Sequence, residues 1–121
     1  MTVTAAMLGV ILEAGEGVSL LIDGLDEAQF LRSRLTRHEV QRQVRAIADA
    51  ARAMDPADRA AMPEIDWPAW LALADAAAQP GSARDAGTWF VARSLVPATL
   101  LWLQVYRQSE PTLFEFRIGG L

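Results

Sequence analysis

The stretch TRHEVQRQVRAIADAARAM, residues 36–54, decides the fold class, because residue type alone sets its start, its buried face and its end. Thr36 and Glu39 have the spacing of a capping box, in which each side chain accepts from the backbone N–H at the other's position. Val40, Val44, Ile47, Ala51 and Met54 follow at alternating intervals of four and three, which is one stripe on a 3.6-residue helix. His38, Gln41, Arg42, Arg45, Asp49 and Arg52 fall on the other side. Asp55-Pro56 ends the segment, since proline disfavours helical geometry in the residue before it. One apolar stripe needs a wall, so other helices are expected to pack on it.

Outward from this helix, the chain repeats the pattern. Residues 5–23 carry Leu8, Ile11, Leu12, Gly15, Val18 and Ile22 at helical spacing, and Gly24 is placed to end that helix in a left-handed cap. Gly15 and Gly17 each cost roughly 0.5–1 kcal/mol relative to Ala, a penalty that close approach of a neighbouring helix would offset. Asp26 caps an extra turn with Phe30 and Leu31 directed inward. Asp55-Pro56 opens a short turn that Pro63 stops. Asp66 caps a third helix through Trp67, Trp70, Leu71 and Leu73 to about residue 79, and Pro80-Gly81 breaks it.

Ser82 and Asp85 repeat the capping spacing before a final helix reaching about Arg107. Trp89, Val96, Leu100 and Leu103 line one face, while Leu95, Leu101, Trp102, Val105 and Tyr106 make the other side apolar too. In so small a chain a second copy is the expected cover for the surplus face. Pro97 is expected to kink this helix. After Pro111 the alternation of Phe114, Phe116 and Ile118 with Glu115 and Arg117 suits either a strand added to a partner or an ordered tail laid on the chain's own domain. The expectation is an all-α domain over residues 1–110 with a C-terminal tail, 111–121.

A length of 121 residues allows one sizeable core. A net charge of −4 argues against sequence-independent phosphate binding as the main task, and makes RNA an unfavoured partner. With no Cys there are no disulfides, thiolate metal sites or Cys nucleophiles. The N-terminus lacks a basic signal-peptide region, and the apolar run Leu95–Val105 is shorter than the ~20 residues a spanning helix needs. A cytoplasmic chain without a membrane partner is the resulting expectation.

Several segments stand out together by their order and spacing. They include Ile11-Leu12-Glu13-Ala14, Gly24-Leu25-Asp26-Glu27 with Phe30, and Leu35-Thr36-Arg37. Val40, Arg42, Ile47, Ala48-Asp49-Ala50-Ala51 and Asp55-Pro56 continue the series, followed by Pro63-Glu64-Ile65-Asp66-Trp67, Trp89 and Pro97. In order and spacing these segments resemble the HepT-like branch of the HEPN family, which is associated with toxin–antitoxin systems. The resemblance implies an antiparallel four-helix bundle that dimerises, with a metal-independent ribonuclease site in the cleft between protomers. It also implies a nucleotidyltransferase-type partner that modifies a tyrosine, or a HEPN-type partner. The family's Arg, polar residue, His and Tyr would fall at Ala74, Asp75, Gln79 and Gly81. Only Asp75 remains polar in a comparable way. No Arg lies between Arg59 and Arg84 and no His follows His38, so a small shift does not restore the motif.

Three functions follow. The first is a catalytically degenerate, dimeric binding protein with no cofactor and no metal, its interface drawn from Trp70, Leu71, Ala74, Trp89 and Phe90. The second is an active endoribonuclease recruiting Arg84, Arg93, His38 or Tyr106. The third is RNA or anionic-partner binding through Arg34, Arg37, Arg42, Arg45 and Arg52, against the alternative that Glu39 and Asp49 balance that face.

Overall fold

The computed structural model describes residues 3–76 and 87–115, and among these it is all-helical, with no strand. α1 spans Val3–Ile22, α2 Glu27–Arg32, α3 Arg34–Ala53, α4 Pro56–Ala60 and α5 Trp67–Ala76. Residues 87–90 are helical, a π-helical turn covers Val91–Leu95, α6 runs Val96–Ser109, and a 3₁₀ turn covers Pro111–Phe114.

α3 forms as its periodicity predicts, with Val40, Val44, Ile47, Ala51 and Met54 all buried. Its start differs from the expected one. Ser33 is the N-cap, its Oγ accepting from the Thr36 N–H at 3.3 Å while its hydroxyl donates to Thr36 Oγ1 at 2.8 Å. The helix therefore opens before Thr36, because a serine with the same three-residue reach stands one turn earlier. At the other end the Arg59 guanidinium donates to the carbonyls of Ala51 and Met54 at 2.7 and 3.0 Å, a cation on the negative end of the helix dipole.

α1 packs most extensively on α3, α3 packs on α5, and α1 also contacts α6. Leu8, Ile11, Ala14, Val18 and Ile22 form the buried line of α1. Gly15 permits the α1–α6 contact: a Cβ there would lie 2.7 Å from Leu100 Cδ2, whereas at Gly17 the nearest atom would be 3.9 Å away. Close approach thus explains one of the two glycines. Gly24 has φ +75°, the left-handed geometry expected of it. α1 is long and apolar enough by composition to cross a membrane, and here its buried line is core.

α2 has the reciprocal cap expected at Asp26, whose side chain pairs with Gln29. Phe30 is buried as expected, but Leu31 turns outward. Asp55 caps α4 over Pro56, and Asp66 Oδ1 accepts from the Ala69 N–H at 3.2 Å at the start of α5.

Ahead of α6 the hydrogen-bond ladder slips. The Val96 N–H donates to the Val91 carbonyl, five residues back, and the next residue, Pro97, has no N–H to give. The interruption predicted from Pro97 is thus a π turn just before it. The capping pair Ser82 and Asp85 lies outside the described residues, as do Phe116 and Ile118. The part of the tail that is described is a 3₁₀ turn whose Leu113 and Phe114 pack against the core beside α1.

Candidate functional site

The end of the third predicted helix, α5, is where the resemblance places chemistry. Ala74 is half-buried against the core and Asp75 is exposed, while Gln79 and Gly81 lie outside the described residues. Asp75 is bonded to Arg52 of α3, so the polar position that survives there is occupied by an intramolecular ion pair.

The replacement groups do not meet. His38 is exposed on the first turns of α3, and Arg93 lies in the π turn, its guanidinium 5.6 Å from the Trp89 ring centre. Tyr106 is buried on α6 and its hydroxyl donates to the Glu64 carboxylate. Burial first, and the bond to Glu64 second, raise the Tyr106 pKa above its ordinary value. No hydrogen bond or ring contact joins His38, Arg93 and Tyr106, and Arg84 is outside the described residues. Among the described residues no three potential metal ligands gather.

The arginine face divides in two. Arg42 pairs with Glu39 at 2.7 Å, Arg45 with Asp49 at 3.3 Å, and Arg52 with Asp75. Arg42 lowers the Glu39 pKa, chiefly through their hydrogen bond, and its own is raised in return. Arg37 donates to the Leu31 carbonyl. Arg34 has no ion pair among the described residues. Internal acids thus balance Arg42, Arg45 and Arg52, and Arg34 at the start of α3 is left without one among the described residues.

The expected interface set also divides. Trp70 is fully buried in its own chain, its Nε1–H donating to Thr99 Oγ1 at 3.0 Å, while that hydroxyl donates to the Leu95 carbonyl at 2.7 Å. This bond ties α5 to α6 and leaves Trp70 no surface to offer a second copy, which corrects the expectation. Leu71 and Ala74 are half-buried, and Trp89 stacks at 5.1 Å on Phe30. Phe90 alone of the five is largely open, at 67% exposure.

The second apolar face read from the sequence of α6 divides: Tyr106 is buried and Leu95 half-buried, while Leu101, Trp102 and Val105 are exposed. Leu101 is 62% exposed and Val105 44%, on the side of α6 away from Val96, Thr99, Leu103 and Tyr106, and Trp102, 36% exposed, stands at the edge with its ring 6.3 Å from that of Tyr106. Ser94, Pro97 and Ala98 are exposed ahead of them. No residue from Ser94 to Tyr106 is charged. A shallow groove of about 200 Å³, lined by Ser19, Asp23, Arg93 and Pro97 among others, opens between α1 and the π turn.

No family model, curated protein or solved structure matches the chain.

Proposed function

We propose that the chain is a catalytically degenerate HepT-like HEPN protein, a homodimer that binds a protein partner in the cytoplasm and does not cut RNA. The observation that carries the binding reading is the uncharged, water-facing stretch of α6 with Leu101, Trp102 and Val105, together with Phe90 upstream. Exposed apolar surface of this kind marks an association site. A second copy suits it: small residues, Ser94 and Ala98, precede large ones, Leu101 and Val105, so two such helices crossing in opposite directions set large against small with no like charges between them.

The finer architecture belongs to the same reading. α1, α3, α5 and α6 would be the four helices of an antiparallel bundle, which the packing of α1 on α3, α3 on α5 and α1 on α6 supports. The HEPN assignment rests on the ordered residue likeness, and the absence of catalysis on the loss of Arg, His and Tyr from the family positions. The partner would be a nucleotidyltransferase-type or HEPN-type protein.

Sedimentation of the purified chain tests the association. The expected result is a dimer at micromolar concentration that Leu101→Glu and Trp102→Glu each turn into a folded monomer. A monomeric wild type removes the interface. RNA cleavage by the same sample, abolished by substituting His38, Arg93 or Tyr106, replaces the binder with an enzyme.

A further inference from the structure

The corner between α2 and α3 combines two features that neither the core nor the α6 face explains. Leu35, on the first turn of α3, is 84% exposed, the highest value among the large apolar side chains of the described residues, and Leu31 four positions earlier is 37% exposed. Between Ala28 and His38 the chain carries Arg32, Arg34, Arg37 and His38 and no acid, in a molecule whose net charge is −4. Farther along α3 the arginines are matched by Glu39, Asp49 and Asp75, whereas Arg32, Arg34 and His38 have no ion pair among the described residues. The nearest other acids, Asp26 and Glu27, sit at the opposite end of α2.

The corner is also built rigidly. Phe30 is buried and stacked on Trp89, Ser33 and Thr36 bond to each other, and Arg37 fastens the Leu31 carbonyl. Leu31 and Leu35 are therefore held outward at little further cost in chain entropy. Leu35 stands almost wholly in water, with too little wall around it to form a groove for a peptide. A protruding leucine flanked by cations is the arrangement by which surface-bound proteins enter the headgroup region of an anionic bilayer.

We infer that this corner is a contact for an anionic lipid surface, with Leu31 and Leu35 entering the headgroup–acyl boundary and Arg32 and Arg34 binding lipid phosphates. The contact is weak and reversible, since two leucines and a few cations fall short of a stable anchor. It revises the expectation of no membrane partner and is independent of the α6 interface.

Co-sedimentation of the full chain with vesicles of phosphatidylglycerol and phosphatidylcholine in equal parts, and of phosphatidylcholine alone, tests it. The expected result is binding to the mixed vesicles only, weaker at about 0.5 M than at about 0.1 M salt. Replacing Arg32 and Arg34 by Gln should weaken it roughly fivefold for each Arg. Leu35→Gln should weaken it too, while circular dichroism stays that of the wild type in all. Absence of binding to the mixed vesicles overturns the inference, as does equal binding to phosphatidylcholine. Binding that survives Leu35→Gln overturns it in favour of a plain phosphate site. A change in sedimenting mass on Leu35→Gln overturns it in favour of a second copy covering the corner.

Discussion

Gly15 and Gly17 lie two residues apart in one helix, and their sequence context does not distinguish them. Their neighbours do. A methyl at residue 15 would press into Leu100, whose Cγ as well as Cδ2 is close, so Gly15→Ala should destabilise by about 1–2 kcal/mol despite better helix propensity. Gly17→Ala has room, and should stabilise by roughly 0.5–1 kcal/mol. Denaturant titration of the pair reads both signs, and a like sign for both would contradict the packing of α1 on α6. The same logic applies to Trp70 and Thr99. Thr99→Val leaves the buried indole N–H without an acceptor and should cost about 1–3 kcal/mol by the same measurement. The exposed Arg52–Asp75 pair should matter far less, with Asp75→Ala costing under about 1 kcal/mol.

At the scale of elements, helix ends depend on small choices between neighbouring polar residues. Ser33 and Thr36 can both cap, and the geometry selects Ser33. Ser33→Ala should therefore lower stability by about 0.5–2 kcal/mol. Thr36→Ala, which leaves the accepting oxygen in place, should lower it by less. A larger loss at Thr36 in thermal melts would return the start of α3 to the capping box at Thr36 and Glu39. The stripe of α3, the cap at Asp26 and the Gly24 turn were legible beforehand because each depends on a few adjacent residues. The π turn was not legible in the same way. Pro97 announces that a hydrogen bond must be lost, but only packing against α1 and α3 decides that the slip occurs at Val91–Leu95.

For the whole molecule, Tyr106 connects α6 to the segment leading into α5 through Glu64. Its pKa is raised in the folded chain, so the native state holds that proton more tightly than the unfolded chain does. The sign follows: the contribution is fully present below the unfolded tyrosine pKa near 10 and is lost as pH rises through the higher folded value. Stability measured across the alkaline range should fall in the wild type, and the part of that fall due to this group should vanish in Tyr106→Phe. An identical alkaline profile in the two proteins would remove the link. The candidate association face belongs to this scale as well. Composition along α6 said that it has more apolar surface than one core can take. Which residues are left over was settled by how the helix rotates against α1: Tyr106 went inward, and Leu101, Trp102 and Val105 outward.

Sequence alone determined that the described residues are helical, where most of their helices begin and stop, and that no Arg lies between Arg59 and Arg84 and no His after His38. These are local facts, set by backbone preference, capping chemistry and residue identity. Only the tertiary structure decided that Trp70 belongs to the core, that most of the paired arginines are balanced within the chain, and that Leu35 stands in water. Each of those depends on which distant segment lies opposite a side chain, and spacing along one helix carries no record of what faces it across the fold.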